Sequence, residues 1–180
     1  MERRGGAAGV SARRLRACGL IARNIEDTRS GREAMVSIPE ATMADIERLC
    51  AEGDGLVEQG KLADAYKSYM AALQQVPEPA EEFEATTWIL AALGDLYFRA
   101  KDYGQVVTVL SDAMHCPGAL GNPFLHLRLG QAQLEVGNED RAADELCRAY
   151  MGAGDEIFEE DDPKYFAFLK TRIQPPAGGW

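Results

Sequence analysis

The stretch GKLADAYKSYMAALQQVP, residues 60 to 77, carries the information that decides the fold. Gly60 and Pro77 bracket it as helix breakers, and Ala65, Tyr69 and Ala72 stand at gaps of 4 and 3, one stripe of an α-helix. The same arrangement returns in KDYGQVVTVLSDAMHCP, residues 101 to 117, with Tyr103, Val106, Leu110, Ala113 and Pro117. It returns again in GNEDRAADELCRAY, residues 137 to 150, with Gly137, Ala142, Leu146 and Ala149. Each stretch is preceded by another of helical spacing that carries a glycine, and these glycines, Gly53, Gly94 and Gly130, lie 41 and 36 residues apart. A helix pair of this size cannot bury its apolar face alone, so a recurring pair implies a stack in which each unit covers the next.

From about residue 43 to 151 the pattern resembles the tetratricopeptide repeat (TPR), a helix-turn-helix unit of about 34 residues. Leu93-Gly94 and Leu129-Gly130 match its Leu-Gly pair, Tyr97 its first-helix aromatic, and Ala65, Ala72, Ala113, Ala142 and Ala149 its small second-helix residues. The sequence departs from the pattern at Glu52, where Leu is usual, at Val106 for Ala, and at Gln133 for an aromatic, and the third unit lacks a terminal Pro. The resemblance implies an all-α, right-handed solenoid of three helix pairs, with units at about 43–77, 84–117 and 121–151, inside a domain spanning 35–173. Small residues such as Gly53, Gly94 and Ala65 let paired helices approach closely, while Tyr69 and Leu110 fill the space beside them. The Pro- and Glu-rich connection VPEPAEEFEA absorbs the extra length between the first two units and is expected to lengthen the helix after it.

A stack needs an end. In GDEIFEEDDPKYFAFLK, residues 154 to 170, Asp162 is placed as an N-cap and Pro163 as the first helical residue, which predicts a closing helix over 162–173. Tyr165, Phe168 and Leu169 form its apolar stripe, widened by Phe166 and Ile173, and residues 174–180 read as a flexible tail. The run Glu159-Glu160-Asp161-Asp162 lacks the alternate oxygen ligands and the turn glycine of a calcium loop. Carboxylates just ahead of a helix instead cap free N–H groups and meet the positive end of its dipole, with contact to a basic partner as the other reading of the run.

Charge divides the chain. Residues 1–34 hold eight Arg, no Lys and four acids, a net of +4, so the remaining 146 residues carry −14 of the overall −10. The basic stretch reads as a disordered extension, either a start called upstream of a true start at Met35 or an organellar presequence. A body this acidic repels phosphate, which argues against nucleic acid as the partner. The longest apolar run, WILAAL at 88–93, is far below the roughly 20 residues of a membrane span. Cys18, Cys50, Cys116 and Cys147 share no ligand spacing, and neither do His115 and His126. Reduced thiols in a cytoplasmic protein are the expectation, with Cys50 and Cys147 buried as small apolar groups.

Nothing in the sequence has the spacing of a catalytic centre. It has no phosphate-binding glycine loop, no GxSxG and no HExxH, so neither enzyme activity, cofactor nor metal is expected. In the TPR family the first helix of each unit lines a concave surface, which implies a groove of Glu47, Cys50, Asp54 and Val57, then Trp88, Ala91, Asp95 and Phe98, then Phe124, Leu127, Gln131 and Leu134. The family's cationic clamp for chaperone C-termini keeps only its Arg here, at Arg128; its other positions fall on Cys50, Asp54, Ala92 and Phe124, so that reading fails. Asp54 and Asp95 beside Trp88, Phe98, Phe124, Leu127, Arg128 and Gln131 suit a basic protein or peptide, with carboxylates pairing to Lys or Arg and aromatics as anchors. The acidic build and the ending EIFEEDDPKYFAFLK also resemble small TPR immunity proteins of bacterial toxin systems. The alternative is an adaptor or assembly factor that docks a partner helix or peptide, as a monomer or a homodimer.

Overall fold

Local chemistry sets the helix boundaries. The computed structural model describes residues 37–175; the basic extension of residues 1–34, and the end of the tail from residue 176, lie outside the described residues. Among the described residues there are seven α-helices and no strand: α1 (Glu40–Glu58), α2 (Leu62–Leu73), α3 (Glu84–Arg99), α4 (Tyr103–Ala113), α5 (Pro123–Glu135), α6 (Glu139–Ala153) and α7 (Pro163–Arg172). Single 3-10 turns occupy Ala80–Glu82 and Asp155–Phe158. Three helices start on side-chain caps: the Asp102 carboxylate accepts from the Gln105 N–H at 3.3 Å, Asn122 from the Phe124 N–H at 3.0 Å, and Asp162 from the Lys164 N–H at 2.9 Å. Pro123 and Pro163 follow their caps at the helix start, where a missing N–H costs nothing.

The three turns inside the helix pairs are one structure used three times. Gly60, Lys101 and Gly137 all have left-handed φ, of 74°, 60° and 85°. Their N–H groups bond to the carbonyls of Val57, Phe98 and Leu134, and the next residue's N–H reaches back to Leu56, Tyr97 and Gln133, the double closure of a Schellman motif. Two of these positions hold the glycine that such a φ favours, and the third holds a lysine.

Packing within each pair follows the small-against-large rule read from the sequence. A methyl on Gly53 would lie 2.5 Å from Cε1 of Tyr69, one on Gly94 2.4 Å from Cδ2 of Leu110, and one on Gly130 2.8 Å from Cγ of Leu146. Each large residue sits 16 positions after its glycine, so the sequence repeats the contact as well as the helix. Ala65, Ala72, Val106, Ala113, Ala142 and Ala149 are fully buried at the same interfaces. Between units, α2 packs on α3 and α4 on α5, while α3 also touches the first helices on either side of it, α1 and α5. Of the helices that repeat, these therefore form the inner row of an all-α solenoid. The extra length between the first two units goes partly into α3, which has ten residues ahead of Gly94 against seven in α5 ahead of Gly130.

Helix α7 closes the stack against α6. Tyr165 and Leu169 are buried there with Phe158, and Phe166 stacks on Phe158 with ring centroids 4.9 Å apart. Phe168, expected on the same stripe, is half-buried. The hydroxyl of Tyr165 and the ammonium of Lys164 both reach Glu135 at the end of α5, each at 2.6 Å. No two of the described cysteines form a disulfide, and the order of burial differs from the expectation: Cys116 is buried while Cys50 and Cys147 are half-buried. Cys116 lies within the 114–122 connection, whereas Cys50 and Cys147 are partly buried against the first and third core clusters.

Candidate partner-binding site

Of the expected residues, Asp95, Phe98, Phe124, Arg128 and Gln131 meet one another between α3 and α5, while Asp54 bonds to Tyr69 and Trp88 packs against the first core cluster. Arg128, on α5, is 2% exposed and spans three parts of the chain. Its Nε donates to Asp95 on α3 at 2.7 Å, and its Nη1 donates to Gln131 at 2.7 Å and to Asp161 at 2.9 Å. Its guanidinium lies over the Phe98 ring, 4.5 Å from the centroid, with Phe124 at 5.4 Å. Both carboxylate partners are 33 residues away, one on each side, so the pair of bonds spans adjacent layers of the stack.

These contacts fix the charge states. Burial opposes ionisation of Asp95, but the Arg128 and Arg99 cations outweigh it and hold the carboxyl below its ordinary range. Arg128 is likewise pushed by burial toward neutrality, and Asp95 and Asp161 more than restore its charge. Arg99 donates to the second oxygen of Asp95 at 2.8 Å, so Asp95 is matched by two cations and contributes little free negative charge. Gln131 is fully buried, and its Nε2 has no acceptor among the described residues. Leu127 is 2% exposed. Arg128, Asp95 and Gln131 thus form a buried polar cluster between α3 and α5, and Leu127 packs in the core with Leu146, Phe158 and Leu169.

Asp54 is different. It is half-buried on α1, accepts the Tyr69 hydroxyl at 2.7 Å, and pairs with no cation among the described residues. Burial raises its pKa first, and the neighbouring charges of Glu58 and Asp95 raise it further, while the Tyr69 bond works the other way. Trp88, Phe98 and Phe124 are half-buried on α3 and α5. Trp88 packs against the first core cluster, and its indole N–H is enclosed without an acceptor among the described residues. Phe98 meets Tyr103 edge-on, 5.5 Å between centroids.

The acidic run proves to be three features. Asp162 caps α7, Asp161 neutralises Arg128, and Glu159 and Glu160 line a cavity of about 490 Å³ with Phe124, Leu127 and Arg128. The cap was readable from the sequence; the Asp161 bond was missed, because nothing local distinguishes that carboxylate from its neighbours. No group of His, Cys, Asp and Glu among the described residues has the geometry to hold a metal ion. None of their helices is long and apolar enough to cross a membrane.

No protein-family model matches the chain, and no curated protein matches it. Among solved structures it is similar to the C-terminal TPR-containing domain of a Plasmodium falciparum protein named for FK506 binding. The two share 16% identity with a TM-score of 0.57, over 73% of this chain and 88% of that domain. At that identity the likeness establishes the fold, an all-α solenoid of TPR type.

Proposed function

We propose that this protein is a non-catalytic binding module that holds a basic protein segment along the inner row of α1, α3 and α5. TPR-type solenoids are protein-docking scaffolds, and the observation that carries the finer reading is Asp54. A half-buried carboxylate with no cation and a raised pKa is an unfavourable charge in the free protein, and an incoming Lys or Arg would relieve it. The half-buried rings of Trp88, Phe98 and Phe124 supply apolar area beside it. Arg128, Asp95 and Gln131 hold α3 and α5 in register and so shape the face from beneath.

Partner capture with the full chain tests this, followed by calorimetry on the captured protein with wild type and Asp54→Asn. The asparagine keeps an acceptor for Tyr69 and removes only the charge, so stability is expected to hold while affinity for a basic partner falls about five- to ten-fold. Equal affinity for the two proteins, or a partner whose contact segment is acidic, refutes the reading. A toxin-sequestering role further requires that co-expression rescue cells from the partner. An adaptor would bind without rescue.

A further inference from the structure

We infer that the cavity at the closing end of the solenoid is a second docking point, which takes a Lys or Arg side chain together with an adjacent apolar residue of a partner peptide. The cavity of about 490 Å³ lies between the loop that leads into α5 and the chain that follows α6. That volume is within the usual range of ligand pockets, roughly 300–1,000 Å³. Its lining combines the apolar Pro123, Phe124, Leu127 and Ile157 with the acidic Glu156, Glu159 and Glu160. Glu156 and Glu159 make no ion pair or side-chain hydrogen bond among the described residues. Arg128 also borders the space, but Asp95 and Asp161 satisfy its charge. The α5 N-terminus adds only a partial positive charge. The site is net negative with a partly apolar lining, the complement of a long cationic side chain whose stem packs while its head meets carboxylate.

Both walls are built in advance. On one side, His126 holds the Leu120 carbonyl at 2.9 Å and Asn122 caps α5. On the other, Asp161 is tied to Arg128 and Phe158 is buried beneath the turn. A pre-formed pocket loses little entropy on binding. Leu120, 75% exposed, stands in the loop between the lining residues Gly118 and Gly121. It offers the partner's apolar residue a place to land. This point shares with the inner row the premise of a basic partner, and the experiment below separates the two.

The experiment is a backbone NMR titration of the intact protein with an end-blocked synthetic leucine–lysine peptide and with its leucine–glutamate counterpart. The lysine peptide is expected to shift amides of residues 118–127 and 153–161, and the glutamate peptide is not. The double variant Glu156→Lys/Glu159→Lys should weaken this binding by about ten-fold or more, and Leu120→Ser by about three-fold, with circular dichroism unchanged. Shifts confined to the surroundings of Asp54 and Trp88 would overturn the cavity proposal and leave the inner-row reading standing. Absence of any shift at about 1 mM peptide would overturn it as well, as would equal binding by both peptides.

Discussion

Alanine at Gly53 and alanine at Gly55 should change stability in opposite directions, although the two positions share helix α1 and lie two residues apart. In a helix interior, Gly→Ala gains about 1 kcal/mol, because alanine has less backbone freedom to lose on folding. At Gly55 a methyl meets nothing within 4 Å, so the gain stands. At Gly53 the methyl would lie 2.5 Å from Cε1 of Tyr69 and 2.8 Å from Cδ1 and Cζ. That ring is 2% exposed and its hydroxyl is bonded to Asp54, so it moves only by breaking the bond or by parting α1 from α2. Overpacking of this kind costs about 1–3 kcal/mol, which leaves Gly53→Ala about 0–2 kcal/mol less stable than wild type. The difference between the two variants, about 1–3 kcal/mol, is the quantity to measure, since the propensity gain cancels in it. Urea unfolding followed by circular dichroism gives it from the midpoints, provided the m-values agree. Gly130→Ala is expected to be worse than Gly53→Ala, because its methyl meets the Leu146 backbone nitrogen at 2.9 Å, which cannot rotate away. If Gly53→Ala is as stable as Gly55→Ala, the close approach of paired helices is not what those glycines provide.

Three further perturbations test other parts of the structure. Lys101→Gly relieves a left-handed φ that the equivalent turns give to glycine, and should raise stability by about 1 kcal/mol, seen as a higher urea midpoint. Arg128→Leu leaves Asp95 and Asp161 without their shared buried cation and should cost about 3–5 kcal/mol; a loss within 1 kcal/mol of zero would show that the cluster is not held electrostatically. The Glu145 carboxylate, at 2.6 Å, and then the Leu120 carbonyl raise the His126 pKa above 6.5, against the opposing effects of burial and of Arg148. His126 therefore adds stability that is complete below pH 6.5 and is lost as pH rises through its raised folded value. The thermal midpoint should fall over that interval in wild type and not in His126→Asn.

Much of the fold is legible in the sequence because it depends on repeated local rules. Gly53, Gly94 and Gly130 announce close helix approach, the alanines of the second helices mark the buried stripe, and Asp162-Pro163 marks the start of the closing helix. Those signals act within one helix or one helix pair, where spacing alone dictates which side chains meet. The candidate site was only partly legible. Asp54 and Asp95 look alike in sequence, yet one pairs with a tyrosine and the other with two arginines. Arg128 falls where the resemblance in sequence implies a ligand-binding arginine, and here it is buried between Asp95 and Asp161.

The sequence by itself thus determined the repeat, the order of the helices, the contact that closes each pair and the acidic character of the body. Only the tertiary structure decided which acids are already neutralised, that Asp161 is a buried ion-pair partner, and that the turn after α6 folds back to enclose a cavity with the start of α5. The reason is range. Helix formation and pairing follow from neighbours a few residues apart or one fixed interval away. The state of a charge depends on side chains from successive layers of the stack, and their meeting depends on how those layers curve.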